Sequence, residues 1–206
     1  TEKVRIGGFA QVYRGVDLNT SPPREVAIKI LDVAAATEPM LRMFYDREVE
    51  SLLTLNHSNI VELIDAGIDT DGKYYLILEW IESDLKTWLS GKGAIPWEDF
   101  INAFGLPIAQ ALDFAHQLRI IHRDVKPENV LITSTGIPKL ADFGISKIKS
   151  DLTQSPHTTI DFMSRPYSPP EQDSTFSRDV FGFGVLLIGA LGGIELHDYP
   201  DISRTL

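Results

Sequence analysis

Apolar residues in this 206-residue chain change their spacing near residue 82, and that change constrains the fold more than any other feature. Before it they cluster in short β-favouring runs; after it they recur every three or four positions. Val12 to Val16 and Val26 to Leu31 are runs of the first kind. The turn-forming AsnThrSerProPro at 19–23 separates them, which predicts an antiparallel pair with a loose loop. Ile60 to Ile68 and Tyr74 to Ile81 predict a second pair, turned at Asp71-Gly72. One helix interrupts the strands: Met43, Phe44, Val49, Leu52, Leu53 and Leu55 hold helical spacing, with Arg42, Asp46, Arg47, Glu48 and Glu50 between them. From Asp84 onward, Phe100, Phe104, Ile108, Ala111, Leu112 and Ala115 mark one stripe of a long helix, and a second apolar helix starts near Asp179. Between them, about 142 to 178, runs a polar segment rich in Ser, Thr and Pro; a loop that long inside a domain is usually functional or disordered. Strands followed by helices predict an α+β fold of two lobes, a β-rich one over 1–81 and a larger, mainly helical one over 82–206.

Composition narrows the function. With 43% hydrophobic and 23% charged residues the chain can bury a real core. Its 19 Lys+Arg against 29 Asp+Glu give a net charge of -10, which disfavours nucleic acid and anionic membrane surfaces as partners, though not a local basic pocket. The absence of cysteine excludes disulfides, thiolate metal sites and cysteine nucleophiles, and fits a reducing compartment. The five His residues have no ligand-type spacing. The opening TEKVRIGG lacks the apolar core of a signal peptide, so a cytoplasmic location is expected. Val180 to Ile194, the longest uncharged apolar stretch, is shorter than the roughly 18 residues of a membrane span and contains five glycines, so a buried helix is expected and no span.

Three motifs carry chemistry. The stretch HisArgAspValLysProGluAsn at 122–129 places Asp124 to accept a hydroxyl proton, Lys126 to neutralise a transferring phosphoryl and Asn129 to hold a metal. A lone HisArgAsp is most often a polar surface turn, but the whole octet is too specific for that. AlaAspPheGly at 141–144 offers Asp142 as a second Mg²⁺ ligand. It follows two short strand runs, ValLeuIle and ProLysLeu, joined by a Gly136 turn, so both metal ligands can come from the ends of one hairpin. ValAlaIleLys at 26–29 carries Lys29 toward nucleotide phosphates. The bland alternative is a strand ending in a solvated lysine; Glu48 on the following helix, itself readable as one more exposed charge, favours an ion pair.

With these residues the chain resembles a eukaryotic-type serine/threonine protein kinase catalytic domain, from about Val4 onward. The resemblance implies a two-lobed protein-kinase-like fold, ATP and Mg²⁺ as cofactors, and a protein substrate presenting Ser or Thr. It makes Asp124 the catalytic base, Lys29 and Glu48 the activating ion pair, and Asn129 and Asp142 the metal ligands. Val4, Gly7, Gly8, Val12, Ala27, Lys29, Leu78, Glu79, Ile81 and Leu131 would line the nucleotide site, with Leu78 as gatekeeper and Glu79, Trp80 and Ile81 as hinge. Leu52, Leu63, His122 and Phe143 would stack as a spine. SerProProGlu at 168–171 would end the activation segment, and Asp179 would cap the catalytic loop from the helix it opens. Lys126 with Ser164 implies Ser/Thr rather than Tyr specificity, and Arg123 implies regulation by phosphorylation, with Thr158 or Thr159 as autophosphorylation sites.

The sequence departs from the family pattern in two places. Around ArgIleGlyGlyPheAlaGlnVal, an ungapped alignment puts Arg5 and Ala10 in place of the first and third glycines of the phosphate loop; alternatively, and preferably, one or two residues are missing around Gly7 and Gly8. The helical lobe also looks incomplete, and Glu171 has no identifiable Arg partner. The functional alternatives are a pseudokinase scaffold, disfavoured by the joint presence of Lys29, Asp124 and Asp142, and a small-molecule kinase, disfavoured by LysProGlu and SerProProGlu.

Overall fold

A computed structural model describes residues 2–6, 10–31, 37–143, 166–169 and 175–196. The fold is α+β. The chain divides into two compact units, one formed by the chain to Asn56 with Val61–Ile81, the other by His57–Ile60 with the chain from Glu82.

The first unit is an antiparallel sheet of order β1-β2-β3-β5-β4, built from β1 (Glu2–Ile6), β2 (Ala10–Asp17), β3 (Arg24–Leu31), β4 (Leu63–Ile68) and β5 (Tyr74–Glu79), with helix α1 (Glu38–Thr54). Its loops close through local side chains. The Asp69 carboxylate accepts from the N–H groups of Asp71 and Lys73 at 2.9 and 2.8 Å, and Gly72 takes the φ of 81° that this turn needs. Directly opposed residues share a face of the sheet. Val12 opposes Lys29 and Lys29 opposes Leu76; one step along, Ala27 opposes Leu78. Val12, Ala27, Lys29, Leu76 and Leu78 therefore lie on one face.

Two expectations shift here. Helix α1 begins at Glu38, and its buried residues are Phe44, Glu48 and Leu52, spaced by four, whereas Met43 and Leu53 are exposed. Apolar spacing misplaced the inward face because a carboxylate occupies its centre. The strand expected from Ile60 starts only at Leu63: Ile60 instead bridges Leu140, and the Leu140 N–H donates to the Asn59 carbonyl at 2.8 Å.

In the second unit β6 (Ser83–Asp84) pairs with β7 (Val130–Ile132), and β7 with β8 (Pro138–Leu140). Helix α2 (Leu85–Leu89) is capped by Asp84, whose carboxylate accepts from the Thr87 N–H at 2.7 Å. The long helix is interrupted. α3 (Trp97–Phe100) runs through a π turn (Ile101–Gly105) into α4 (Leu106–Gln117). Pro107 has no N–H for the Ala103 carbonyl, so the regular ladder fails there. The wide turn also keeps the stripe aligned: two successive four-residue steps on an ideal helix would drift it by about 80°. Phe100, Phe104, Ile108, Ala111, Leu112 and Ala115 are all buried.

Helix α5 (Ser177–Gly192) ends at Gly193, whose φ of 62° suits glycine. Among the described residues no helix is long and apolar enough to cross a membrane. The inward residues of α5 include Gly182, and a Cβ there would lie 2.8 Å from the Val125 carbonyl and 3.2 Å from that of Tyr167. Backbone cannot yield as a flexible side chain can. We expect Gly182→Ala to lower stability by about 1–3 kcal/mol, the usual cost of overpacking, as read by a lower denaturant midpoint with unchanged slope.

Candidate active site

In the first unit the candidate site residues centre on Lys29. Its position on β3 aims it at α1, where Glu48 is one helical step from both Phe44 and Leu52. The Lys29 ammonium donates to Glu48 Oε1 at 2.6 Å, and the two residues are only 2% and 1% exposed. The solvated-lysine and exposed-carboxylate readings are thereby excluded. Val12 and Ala27, half-buried, and Leu78, buried, share the Lys29 face. Glu79 closes the end of β5: its N–H donates to the Glu62 carbonyl at 3.1 Å and its carboxylate accepts from the Glu62 N–H at 2.8 Å. Trp80 lies under the Arg14 guanidinium at 5.2 Å, and Ile81 is half-buried. Val4 falls in β1, while Gly7 and Gly8 lie outside the described residues, as do Thr158, Thr159, Ser164 and Glu171.

The second unit assembles the other polar residues within one short loop and one hairpin. A single 3₁₀ turn, Pro127–Asn129, folds the loop back on itself, so the Asn129 amide donates to the Asp124 carbonyl at 2.8 Å and to its carboxylate at 3.1 Å. The Lys126 ammonium stands 3.0 Å from Asp124 Oδ2. Asp124 is thus a nearly buried carboxylate, 8% exposed, held by an amide and a cation. Pairing of β7 with β8, turned at Gly136 (φ 84°), brings the residues before and after the hairpin together: the Ala141 N–H donates to the Asn129 carbonyl at 2.9 Å. Asn129 and Asp142 therefore sit at the two open ends of one hairpin, and Leu131 is in its first strand.

The donor chemistry of this pair fits Mg²⁺. With the Asn129 NH₂ committed to Asp124, its carbonyl oxygen is the atom left for a cation, and Asp142 adds carboxylate oxygens. An all-oxygen set with few protein ligands suits an ion that retains waters and phosphate oxygens.

Backbone strain is concentrated here. Arg123 and Asp142 have φ of 68° and 65°, left-handed values that cost a non-glycine residue of order 1–3 kcal/mol. Both have visible restraints nearby. Asp179 of α5, fully buried, accepts from the His122 N–H at 2.8 Å and the Arg123 N–H at 2.6 Å, and its Oδ2 is 2.7 Å from His116 Nε2. The His122 ring contacts the Ala141 carbonyl at 2.8 Å and packs edge-on against Phe143 at 4.5 Å, immobilising the residues on both sides of Asp142. Sequence reading missed Arg178. Its Nε donates to the Arg123 carbonyl at 3.1 Å and its Nη2 to the Ser168 hydroxyl at 3.2 Å, so Arg178 and Asp179 together grip the backbone C=O and N–H of the strained residue Arg123. No motif signals it; only adjacency to Asp179 on a helix start does.

Phosphotransferase chemistry needs a held carboxylate, a nearby cation and oxygen donors for a metal, and the loop and hairpin supply all three. A profile of the protein kinase domain matches residues 1–202. The chain belongs to the protein kinase family. The kinase domain is 36% identical over 192 residues to serine/threonine-protein kinase PrkC of Bacillus subtilis, covering 91% of this chain and 29% of that protein. It is 34% identical over 192 residues to a probable serine/threonine-protein kinase PknB of Lactococcus lactis, covering 91% and 30%. To serine/threonine-protein kinase PknB of Mycobacterium leprae it is 33% identical over 195 residues, covering 91% and 31%. The kinase domain thus spans under a third of the length of these relatives.

Removing one partner of a buried pair leaves the other charge uncompensated. Glu48→Ala is therefore expected to lower stability by about 3–5 kcal/mol, and Glu48→Gln by less, in chemical denaturation. Asp179→Asn, which keeps one acceptor oxygen but loses the charge, should cost roughly 1.5–3 kcal/mol by the same measurement.

Proposed function

We propose that this domain transfers the γ-phosphoryl of ATP to Ser or Thr hydroxyls of protein substrates. The observation that supports it best is the Asp124 carboxylate, held by the Asn129 amide and standing 3.0 Å from the Lys126 ammonium. The names of the relatives, all serine/threonine-protein kinases, point the same way.

In this reading Asp124 accepts the proton of the acceptor hydroxyl as that oxygen bonds to the γ-phosphorus and the bond to the β–γ bridging oxygen breaks, leaving ADP. Lys126 neutralises charge on the phosphoryl in transit, and Lys29, fixed by Glu48, holds the α- and β-phosphates. Asn129 and Asp142 hold Mg²⁺, which when bound screens the phosphate charges. Val12, Ala27, Leu78 and Leu131 contact the purine, with Glu79 and Ile81 supplying hinge backbone and Val4, Gly7 and Gly8 the start of the site. The division of roles into a nucleotide lobe over 1–81 and a catalytic lobe over 82–206 belongs to the same proposal. So do a cytoplasmic location, for which the absence of cysteine is the support, and autophosphorylation at Thr158 or Thr159.

The test is transfer of labelled phosphate from ATP and Mg²⁺ to a generic basic protein. Asp124→Asn should lower kcat by about 10²-fold or more with nucleotide affinity nearly unchanged, since general-base help is worth 10²–10⁴. Equal transfer by the variant, or a loss of ATP affinity with unchanged kcat, would remove Asp124 from this role.

A further inference from the structure

A cavity of about 690 Å³ in the second unit is lined by Lys86 of α2, Lys126 and Glu128 of the catalytic loop, Tyr167, and Leu186 and Ala190 of α5. It lies one side chain from the proposed base, because the Lys126 ammonium that lines it stands 3.0 Å from Asp124. A peptide presenting a hydroxyl to Asp124 must lay its neighbouring residues against this region.

The cavity contains a cation gripped by two carboxylates. Lys86 Nζ donates to Glu128 Oε1 at 3.0 Å and is 3.2 Å from Oε1 of Glu195, which also lines the cavity. The hydrogen bond and charge of Glu128, then those of Glu195, hold the Lys86 pKa above its ordinary value. Burial and the same two carboxylates push the Tyr167 phenol up, so its hydroxyl stays protonated. Glu128 Oε2 is buried and accepts no hydrogen bond among the described residues. The other lining cations are committed elsewhere: Lys92 lies 4.4 Å over the Trp88 ring, and Lys126 pairs with Asp124.

Stability does not account for this arrangement. The Lys86 side chain is 51% exposed, and ion pairs at such positions contribute little to folding. Its effect on a ligand is larger, because it occupies the position that an arginine or lysine of a bound peptide would otherwise take between two carboxylates. We propose that Lys86 is a specificity-determining residue, an internal cation that fills the Glu128–Glu195 site and so makes the domain indifferent to basic residues beside the acceptor Ser or Thr. The inference rests on the kinase reading and adds the charge class of the substrate to it.

The test uses neutral peptides with one Ser, and matched sets in which a single Arg replaces Ala at each position from three before to three after it. Both affinity, by fluorescence anisotropy, and kcat/KM, by phosphate transfer, are measured for the wild type, Lys86→Ala and the triple variant Lys86→Ala, Glu128→Gln, Glu195→Gln. In the wild type the Arg-to-Ala affinity ratio should stay near one. Lys86→Ala should raise it about three- to tenfold at one or two positions, less at high salt, with the neutral peptide unaffected. The triple variant should return it to the baseline. An unchanged ratio in Lys86→Ala, or a rise that persists in the triple variant, would overturn the inference while phosphate transfer left the kinase reading intact. A shifted affinity ratio with no transfer to any peptide would uphold the charge assignment and overturn the kinase reading instead.

Discussion

The buried carboxylate of Asp179 is the interaction on which the catalytic loop depends. It has no exposed surface, and it accepts N–H groups from His122 and Arg123 while contacting His116. Burying a polar group without partners is costly; here backbone donors and an imidazole replace the water that the carboxylate has lost. The return is geometric. Arg123 is held in a left-handed conformation it would not adopt alone, and that conformation fixes where Asp124 emerges. His122, pinned at its N–H by Asp179, carries the constraint onward through its ring to the Ala141 carbonyl and Phe143, beside the equally strained Asp142.

Close approach of helix α5 makes this possible. Gly182 lets the helix come within van der Waals distance of the Val125 and Tyr167 carbonyls, closer than any side chain would permit. Arg178, one turn earlier, then reaches the Arg123 carbonyl and the buried Ser168. The helix thus acts as a rigid bracket for the catalytic loop and for the 166–169 segment. Phosphoryl transfer, the proposed activity, requires little covalent work of a protein and much positioning, and strain held in a fixed place suits it better than a relaxed, mobile loop would.

The charged pairs of the domain fall into two physical classes. Lys29–Glu48 is excluded from water on both sides, where attraction is strong and loss of either partner is severe. Lys86 with Glu128 and Glu195 is half-exposed, screened and exchangeable, which suits a group that competes with a ligand rather than one that holds the fold. The same residue types thus serve a permanent structural contact in one unit and a tunable one in the other, and burial is the difference.

Much of this was legible in the residue order. Period-two and period-four apolar spacing located the strands and the long helix, because local hydrogen bonding and burial impose those periods wherever one face is covered. The ValLeuIle and ProLysLeu runs with Gly136 foretold the hairpin that joins Asn129 to Asp142, since the signal is local and the turn demands glycine. The Lys29–Glu48 pair was legible too, but the exposure of Met43 and Leu53 on α1 was not, because an apolar pattern alone does not register that a paired carboxylate takes the centre of the inward face. Ile60 left its expected strand for a competing bridge to Leu140, and Pro107 opened a π turn by lacking a donor, neither of which periodicity registers. Arg178 and the Lys86 bridge left no trace in any motif. By itself the sequence determined which residues are candidates for the chemistry and the elements they stand on, because motif spacing and local periodicity are written along the chain. Only the tertiary structure decided which charges are buried, which are exchangeable and which backbone units are strained, because each depends on partners brought from distant parts of the chain.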